Sequence, residues 1–142
     1  MPGPTTIILL RHAERQTVGA DPALTAVGKK RAQLLARMLR DAGVTAVFTS
    51  DARRTKETAA PLAAQTHLTP VELTGSNSTA HMATVLAVNA GTAVVVGHSN
   101  TVPQLIVALG AGGPVIADSE FDRLFVVTRG PTGDVRLLAL RY

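Results

Sequence analysis

Residues 5–14 read Thr-Thr-Ile-Ile-Leu-Leu-Arg-His-Ala-Glu, an apolar run that ends at an arginine followed by a histidine. A short run rich in Ile and Leu and bounded by turn residues is typical of a strand buried on both faces of a parallel sheet. Ligands of such sheets bind at the carboxyl ends of the strands. The stretch therefore predicts that Arg11 and His12 reach the rim of a sheet, where a cation and an imidazole can meet a substrate.

Two further apolar runs end in a similar way. Residues 92–96 lead through a glycine to His98, and residues 44–48 lead to a short polar segment that contains Arg53 and Arg54. A single Arg-His pair is more often the solvated end of a strand. Repetition at a second strand favours a functional site that several strand ends share.

Taken in chain order, these motifs resemble those of the histidine phosphatase superfamily, the phosphoglycerate mutase-like enzymes. They are Arg-His-Ala-Glu at 11–14, Thr-Ser-Asp-Ala-Arg-Arg-Thr-Lys-Glu-Thr at 49–58 and Gly-His at 97–98, with a Leu-Thr-x-x-Gly segment at 24–28 between the first two. The resemblance extends over nearly the whole chain. In length the chain is similar to the compact phosphohistidine phosphatases, which have no cap over the site.

The resemblance implies a role for each motif residue. His12 corresponds to the histidine that attacks the phosphoryl group, and His98 to the second histidine, which binds and polarises that group. Arg11 and Arg54 correspond to the two arginines that clamp the phosphate. Arg54 is preferred over Arg53 because of its spacing from the serine of the motif, and Arg53 is expected to face solvent.

The expected proton donor has no clear counterpart in the sequence. In the mutases and many phosphatases of the family, a Glu in a Glu-x-x-x-Gly setting follows the third strand, and this chain does not reproduce that setting. Glu72 is the nearest candidate, although it equally fits a residue that points outward, and His81 is another stand-in. We therefore expect a preference for good leaving groups such as phosphohistidine, acyl phosphates or phosphoanhydrides.

Several neighbouring residues have two interpretations. Ser50 and Asn100 each fit an N-cap of the helix that follows, which we favour, or a substrate-binding side chain. Glu14 fits either the orientation of a neighbouring histidine or arginine, or a surface pair with Arg15. Ala13 replaces the usual glycine of the family, at small cost if the backbone there needs no positive φ.

Composition limits the remaining classes of function. The 142 residues form one domain (1–142), and the absence of cysteine excludes disulfides, thiolate metal sites and a cysteine nucleophile. The net charge of +4 is not gathered in a basic run, and four aromatic residues offer little stacking for bases, so we expect no nucleic-acid partner. Four scattered histidines without metal-binding spacing make a metal site unexpected, and we predict no cofactor.

The order of elements predicts a three-layer α/β/α sandwich with a mainly parallel sheet and a C-terminal edge hairpin. Four helices are expected. The first is capped by Thr25 and runs to about Asp41, with Gly43 as C-cap, and the second runs from Ala52 to about Thr66, with Ser50 or Asp51 as cap. The third runs from Thr79 to Asn89, and the fourth follows His98 and ends at Gly110. Besides the strands at 5–10, 44–48 and 92–96, we expect strands at 68–73, 121–128 and 135–140.

No targeting or membrane segment is evident, so we expect a cytoplasmic protein and no membrane partner. The oligomeric state is left open.

The main hypothesis is a metal-independent phosphatase that acts through phospho-His12 in an open site. Its substrate is a small phosphorylated molecule or a phosphoprotein. The alternative is a phosphate-binding module with weak or no turnover. A phosphoglycerate mutase is less expected, because nothing in the sequence supplies a lid to shield a phosphohistidine from water.

Overall fold

The computed structural model describes residues 3–88 and 91–142. Over these ranges the strands are β1 (Thr6–Arg11), β2 (Val44–Thr49), β3 (Val71–Glu72), β4 (Thr92–Gly97), β5 (Arg123–Arg129) and β6 (Val135–Arg141). The helices are α1 (Ala26–Met38), α2 (Arg53–Thr66), α3 (Ser78–Leu86) and α4 (Thr101–Ala108).

The six strands form one sheet in the order β3-β2-β4-β1-β5-β6. The first four in that order are mutually parallel, whereas β5 runs antiparallel to β1 and pairs with β6 as a hairpin at the edge. The predicted α/β sandwich with a mainly parallel sheet and a C-terminal edge hairpin is confirmed.

Successive side chains of a buried strand point to opposite faces of the sheet, so the hydrophobic core is divided between the two faces. Ile7 and Leu9 of β1 pack on one face with Val85 of α3 and with Val102 and Ile106 of α4. Ile8 and Leu10 pack on the other face with Leu35 of α1 and Leu62 of α2. Burial on both faces explains why the central strands are continuous apolar runs, and it holds the polar residues after each strand at a fixed edge.

Helix α1 begins as predicted and ends earlier. The hydroxyl of Thr25 accepts a hydrogen bond from Gly28 N at 3.1 Å, which makes Thr25 the N-cap. The helix ends at Met38 with Leu39 as C-cap, so the predicted end at Asp41 is three residues late. Gly43, expected as the C-cap, instead occupies a turn at φ 68° directly before β2.

Other predicted boundaries also shift. Helix α2 begins at Arg53, its N-cap is Ala52, and neither Ser50 nor Asp51 caps it as predicted. The carboxylate of Asp21, from a distant loop, accepts from Arg53 N at 2.9 Å and takes over part of that task.

The third strand and third helix are shorter than expected. The strand predicted at residues 68–73 is reduced to the two residues of β3, because only Phe48 and Thr49 of β2 pair with it. Helix α3 begins one residue before the predicted start, with Asn77 as its cap, and ends at Leu86. The predicted end at Asn89 lies outside the described residues.

Candidate active site

The site forms where the carboxyl ends of β1, β2 and β4 meet. Arg11 of β1 pairs in parallel with Gly97 of β4, so the residues that follow, His12 and His98, leave the sheet side by side. His12 N donates to Gly97 O at 2.9 Å, and the ring centroids of the two histidines lie 5.4 Å apart at an interplanar angle of 65°. Strand register therefore brings together two residues that are 86 positions apart.

The hydrogen bonding of His12 fixes which ring nitrogen is free. Nδ1 lies 2.8 Å from Ala13 O, a group that only accepts, so Nδ1 carries the proton of the neutral ring. Nε2 then keeps its lone pair. His12 is 3% exposed, which leaves this ring little room to rotate. The backbone thus presents a nucleophilic nitrogen in one orientation.

His12 is neutral near pH 7. Burial lowers the pKa of His12 to about 4; its hydrogen bond to Ala13 opposes this shift, and the charges of Arg11 and Arg54 reinforce it. A neutral imidazole is the form that attacks an electrophile. The pKa of His98 is also lowered, first by burial and then by Arg54 and Arg11.

A chain of hydroxyl groups orients His98. Thr55 Oγ1 donates to backbone carbonyls of the α2 N-terminus, with Ala52 O at 2.9 Å, so it must accept from Ser50 Oγ at 2.8 Å. Ser50 Oγ in turn accepts from His98 Nε2 at 2.8 Å. His98 Nδ1 is left as the acceptor, and Arg54 Nη2 lies 3.4 Å from it.

Two arginines near the histidines have donors that no described residue uses. In the described part of the chain, the buried Nε atoms of Arg11 and Arg54 have no hydrogen-bond partner. Arg11 is 7% exposed, so this Nε–H is withheld from bulk water as well. Buried unpaired N–H groups are costly, and an oxyanion between the two guanidinium groups would satisfy both.

Arg11 is held by a turn that the sequence did not suggest. Its Nη1 donates to Asp118 O and Glu120 O, each at 2.8 Å, and lies 3.4 Å from Ala117 O. The guanidinium also stacks 4.0 Å from the ring centroid of Phe121, whose ring is 5.9 Å from that of His12. The segment from Ala117 to Phe121 therefore forms one wall of the site.

These groups line an open cleft of about 610 Å³. The lining residues are Arg11, His12, Glu14, Arg15, Thr17, Arg54, His98, Ser99, Asn100, Asp118 and Phe121. Three of them are arginines and two are carboxylates, so the cleft is positive on balance and suits an anion.

The structure brings together five of the predicted site residues and separates others. The five that line the cleft are Arg11, His12, Arg54, His98 and Asn100. Glu72 does not: its carboxylate pairs with Lys56 Nζ at 2.6 Å on the exposed side of β3. The expected proton donor is therefore not placed at the reacting group.

Hydrogen bonds and ion pairs account for three more residues named from the sequence. His81, outside the described lining of the cleft, bonds through Nε2 to Thr74 O at 2.7 Å. Arg53, expected to face solvent, is 57% exposed and pairs with Glu57 at 2.8 Å. Glu14 pairs with Arg31 at 2.9 Å instead of with a surface arginine.

The two candidate caps behave differently. Ser50 binds the ring of His98 and also contacts the start of α2, at Thr55 Oγ1 and Ala52 N, and it is outside the described lining of the cleft. Asn100 is the N-cap residue of α4, but its side chain makes no capping hydrogen bond and it lines the cleft. Ala13 needs no positive φ, because among the described non-glycine residues only His67 has one.

Sequence reasoning gave no role to Thr58, the last residue of the motif at 49–58, and missed Asp118 and Phe121. Thr58 Oγ1 accepts from Ala13 N at 2.9 Å and donates to Arg54 O at 2.8 Å, which ties α2 to the turn after His12. A signal for Phe121 and Asp118 existed, since β5 runs antiparallel to β1 with Leu124 opposite Leu10. Residues before β5 must then lie beyond the carboxyl end of β1.

The described residues offer neither a candidate metal site nor a helix that could span a membrane. Within residues 3–88 and 91–142, no group of three or more His, Asp or Glu side chains is placed to hold a metal ion. No helix in the same ranges has the length and apolar character needed to cross a membrane.

Comparison with known proteins agrees with the geometry. The model of the histidine phosphatase superfamily (branch 1) matches residues 7–76. A curated relative, the probable phosphoglycerate mutase GpmB of Yersinia enterocolitica, is 43% identical over 60 residues, which are 37% of this chain and 28% of the relative. The chain thus matches under a third of that protein's length.

Solved structures show the same fold over the whole chain. The protein histidine phosphatase SixA complexed with tungstate superposes with a TM-score of 0.75 at 18% identity, covering 96% of each chain. The putative phosphohistidine phosphatase SixA from Agrobacterium tumefaciens gives 0.67 at 21% identity, covering 98% of this chain and 99% of that one. A mycobacterial glucosyl-3-phosphoglycerate phosphatase with inorganic phosphate gives 0.72 at 15% identity, covering 97% and 96%.

Proposed function

The chain belongs to the histidine phosphatase superfamily, and we propose that it is a phosphatase that hydrolyses a phosphorylated substrate through a phosphohistidine on His12. In the first step Nε2 of His12 attacks phosphorus while the bond to the leaving group breaks. In the second step water attacks the phosphohistidine and releases inorganic phosphate. Arg11 and Arg54 bind the phosphoryl oxygens in both steps, and His98 binds them as well when its Nδ1, the acceptor atom of the neutral ring, carries a proton.

One observation carries this proposal: a neutral, buried histidine with a free Nε2 lines the same cleft as Arg11 and Arg54, and the buried Nε–H of each arginine has no partner among the described residues. A nucleophile and cations with unused donors in one cleft are what phosphoryl transfer requires. A purely structural cluster would have satisfied those donors internally.

The substrate is a small phosphorylated molecule or a phosphoprotein, and no metal takes part. Support for an accessible substrate comes from the cleft, whose outer wall includes the exposed residues Arg15, Thr17 and Asn100. The solved neighbours include enzymes described as phosphohistidine phosphatases and as a glucosyl-3-phosphoglycerate phosphatase. Phosphohistidine and phosphomonoesters are accordingly the two classes to test first.

A second candidate is a phosphate-binding module without significant turnover. The observation in its favour is the position of Glu72 and His81, the two predicted proton donors, away from the described lining of the cleft. Such a module would bind phosphate between Arg11 and Arg54 and form no covalent intermediate.

The deciding experiment is turnover of p-nitrophenyl phosphate and a phosphohistidine peptide in the presence of a chelator. Wild type should release phosphate and, after rapid quenching, carry an acid-labile phosphoryl group. His12→Ala should lose both signals. His67→Asn is the matched control, because it removes an exposed histidine and Asn tolerates the left-handed backbone at φ 57°.

Each candidate function gives a different result in this assay. Turnover that survives in His12→Ala would rule out the proposed nucleophile. Tight binding of phosphate by wild type without turnover or labelling would select the binding module. Loss of turnover on addition of chelator would show that a metal takes part.

A further inference from the structure

The cleft is lined by two acidic residues that the mechanism above does not use. Among the described residues that line it, the carboxylates are Glu14 and Asp118. Expulsion of an alkoxide from a phosphomonoester requires a proton, and a positioned carboxyl group is a common source. The question is which of the two is able to supply it.

Glu14 is unsuited to this role. Arg31 grips its carboxylate from two sides, with Nε to Oε1 at 2.9 Å and Nη2 to Oε2 at 2.9 Å. Partial burial by itself raises the pKa of Glu14, but the hydrogen bonds from Arg31 outweigh it and leave that pKa below its ordinary value. A carboxylate held in this way stays ionised and keeps no free oxygen edge for a leaving group.

Asp118 differs from Glu14 in that no described side chain holds its carboxylate. Within the described ranges its side chain makes no hydrogen bond or ion pair, and the residue is exposed at the wall of the cleft. Its negative charge partly offsets the effect of burial, which lowers the pKa of Arg11. The carboxylate is therefore near the phosphate-binding cation, yet none of the described residues pairs with it.

The backbone of Asp118 is fixed although its side chain is free. Arg11 Nη1 donates to its carbonyl at 2.8 Å, Glu120 N donates to Ala117 O at 2.9 Å, and Ala117 N donates to Glu120 Oε1 at 2.9 Å. The guanidinium of Arg11, which is proposed to bind the phosphoryl group, thus also anchors the turn that carries the Asp118 carboxyl. An anchored backbone and a carboxyl that no described residue holds suit a group that must reach a leaving atom and then a water molecule.

We propose that Asp118 is the general acid and base of the reaction, and that alkyl phosphomonoesters are therefore substrates. This inference rests on the proposed function. As the bond from phosphorus to His12 Nε2 forms and the bond to the leaving oxygen breaks, the Asp118 carboxyl gives its proton to that oxygen. The resulting carboxylate then takes a proton from the water that attacks the phosphohistidine, so that the cycle closes with phosphate released and both residues restored.

The proposal changes the expected substrate range. Without a donor, only phosphohistidine and other good leaving groups would be turned over at useful rates. With Asp118 acting as donor, an alkyl ester such as glycerol 2-phosphate is hydrolysed as well. The dependence of rate on leaving group is the measurable difference.

The test compares Asp118→Asn with wild type on p-nitrophenyl phosphate and on glycerol 2-phosphate. We expect kcat/KM for the alkyl ester to fall by about 100-fold or more, the size of a general-acid contribution, and the value for the aryl ester to fall by less than about tenfold. Asp118→Glu should recover part of the alkyl activity. Asp41→Asn, an exposed aspartate in the turn after α1, is the matched control.

The outcomes separate this proposal from the proposed function. Wild-type turnover of the aryl ester with none of the alkyl ester, or equal losses on both substrates in Asp118→Asn, overturns the role of Asp118 and leaves His12 catalysis standing. Absence of any turnover in wild type overturns both. Because Asp118 is exposed, the variant is expected to fold, which its thermal transition will check.

Discussion

His98 donates from Nε2 to the hydroxyl of Ser50 at 2.8 Å, and this contact decides which face of the second histidine meets the cleft. The hydroxyl comes from the segment between β2 and α2, whereas the histidine follows β4. A side chain that fits an N-cap in the sequence thus serves to orient an imidazole. Its loss would leave the His98 ring free to turn.

Ser50→Ala should lower kcat by about tenfold, since a half-buried donor on His98 loses its acceptor at a cost on the order of 1–3 kcal/mol. Ser50→Thr, which keeps the hydroxyl, should restore most of that loss. The ¹⁵N shifts of the His98 ring should report a mixed tautomer in the alanine variant alone. Ser76→Ala, in an exposed turn, is the control. A fixed tautomer in Ser50→Ala would contradict the orienting role.

Arg54→Lys should raise KM for p-nitrophenyl phosphate by about tenfold or more, because an ammonium cannot reproduce the guanidinium edge that faces an oxyanion. Arg53→Lys is the neighbouring control, because Arg53 pairs with Glu57 on the exposed side of α2. Steady-state kinetics and binding of tungstate measure the effect. Equal changes in the two variants would show that Arg54 contributes only charge.

His12 should titrate far below an ordinary histidine. Its pKa of about 4 means that the ring stays neutral through mildly acidic solution. In a ¹H–¹³C spectrum followed against pH, the ring signal of His12 should shift with a midpoint near this value. The exposed ring of His67 is the reference in the same spectra. A His12 midpoint above about 6 would mean that burial does not govern this group.

The same shift should affect stability. Because the folded-state pKa of His12 lies below its value in the unfolded chain, the unfolded chain binds the extra proton first as pH falls. The free energy of unfolding should therefore drop by about 2 kcal/mol from about pH 7 to about pH 5. Urea titrations of wild type and His12→Gln measure it. An equal drop in the variant would assign the effect to other groups.

Gly28→Ala should destabilise the protein and disturb the site together. A Cβ on Gly28 would lie 2.1 Å from Glu14 O, a backbone atom that cannot swing aside. We expect a loss on the order of 1–3 kcal/mol, as for other overpacked positions, and reduced turnover because the turn after His12 must move. Gly112→Ala, where no described atom beyond the neighbouring residues lies within 4 Å of the added carbon, should leave both quantities unchanged.

Much of the architecture follows from patterns that are local in the sequence. Buried strands such as β1 and β4 are visible as apolar runs, and parallel pairing makes their ends coincide. The family resemblance and the fold class could therefore be predicted from the sequence, and both are confirmed. The convergence of Arg11, His12, Arg54 and His98 is observed in the structure, while their catalytic roles stay predictions for the assays above.

The errors have a common physical origin in contacts between distant segments. Ser50 looks like a helix cap because its competing partner, His98, is 48 residues away. Glu72 looks like a donor candidate because its ion pair with Lys56 is invisible from spacing. The wall from Ala117 to Phe121 was overlooked because only the antiparallel direction of β5 brings it to β1.

Arg11 offers an incoming ligand one edge and withholds the other. Both hydrogens of Nη1 are occupied by backbone carbonyls of Asp118 and Glu120, so Nε and Nη2 remain for an oxyanion. A tetrahedral group engaged side-on through two of its oxygens loses the freedom to spin about the cation. Substitutions that shift the turn at Asp118 and Glu120 would therefore change the orientation of the bound group, while the charges around it stay the same.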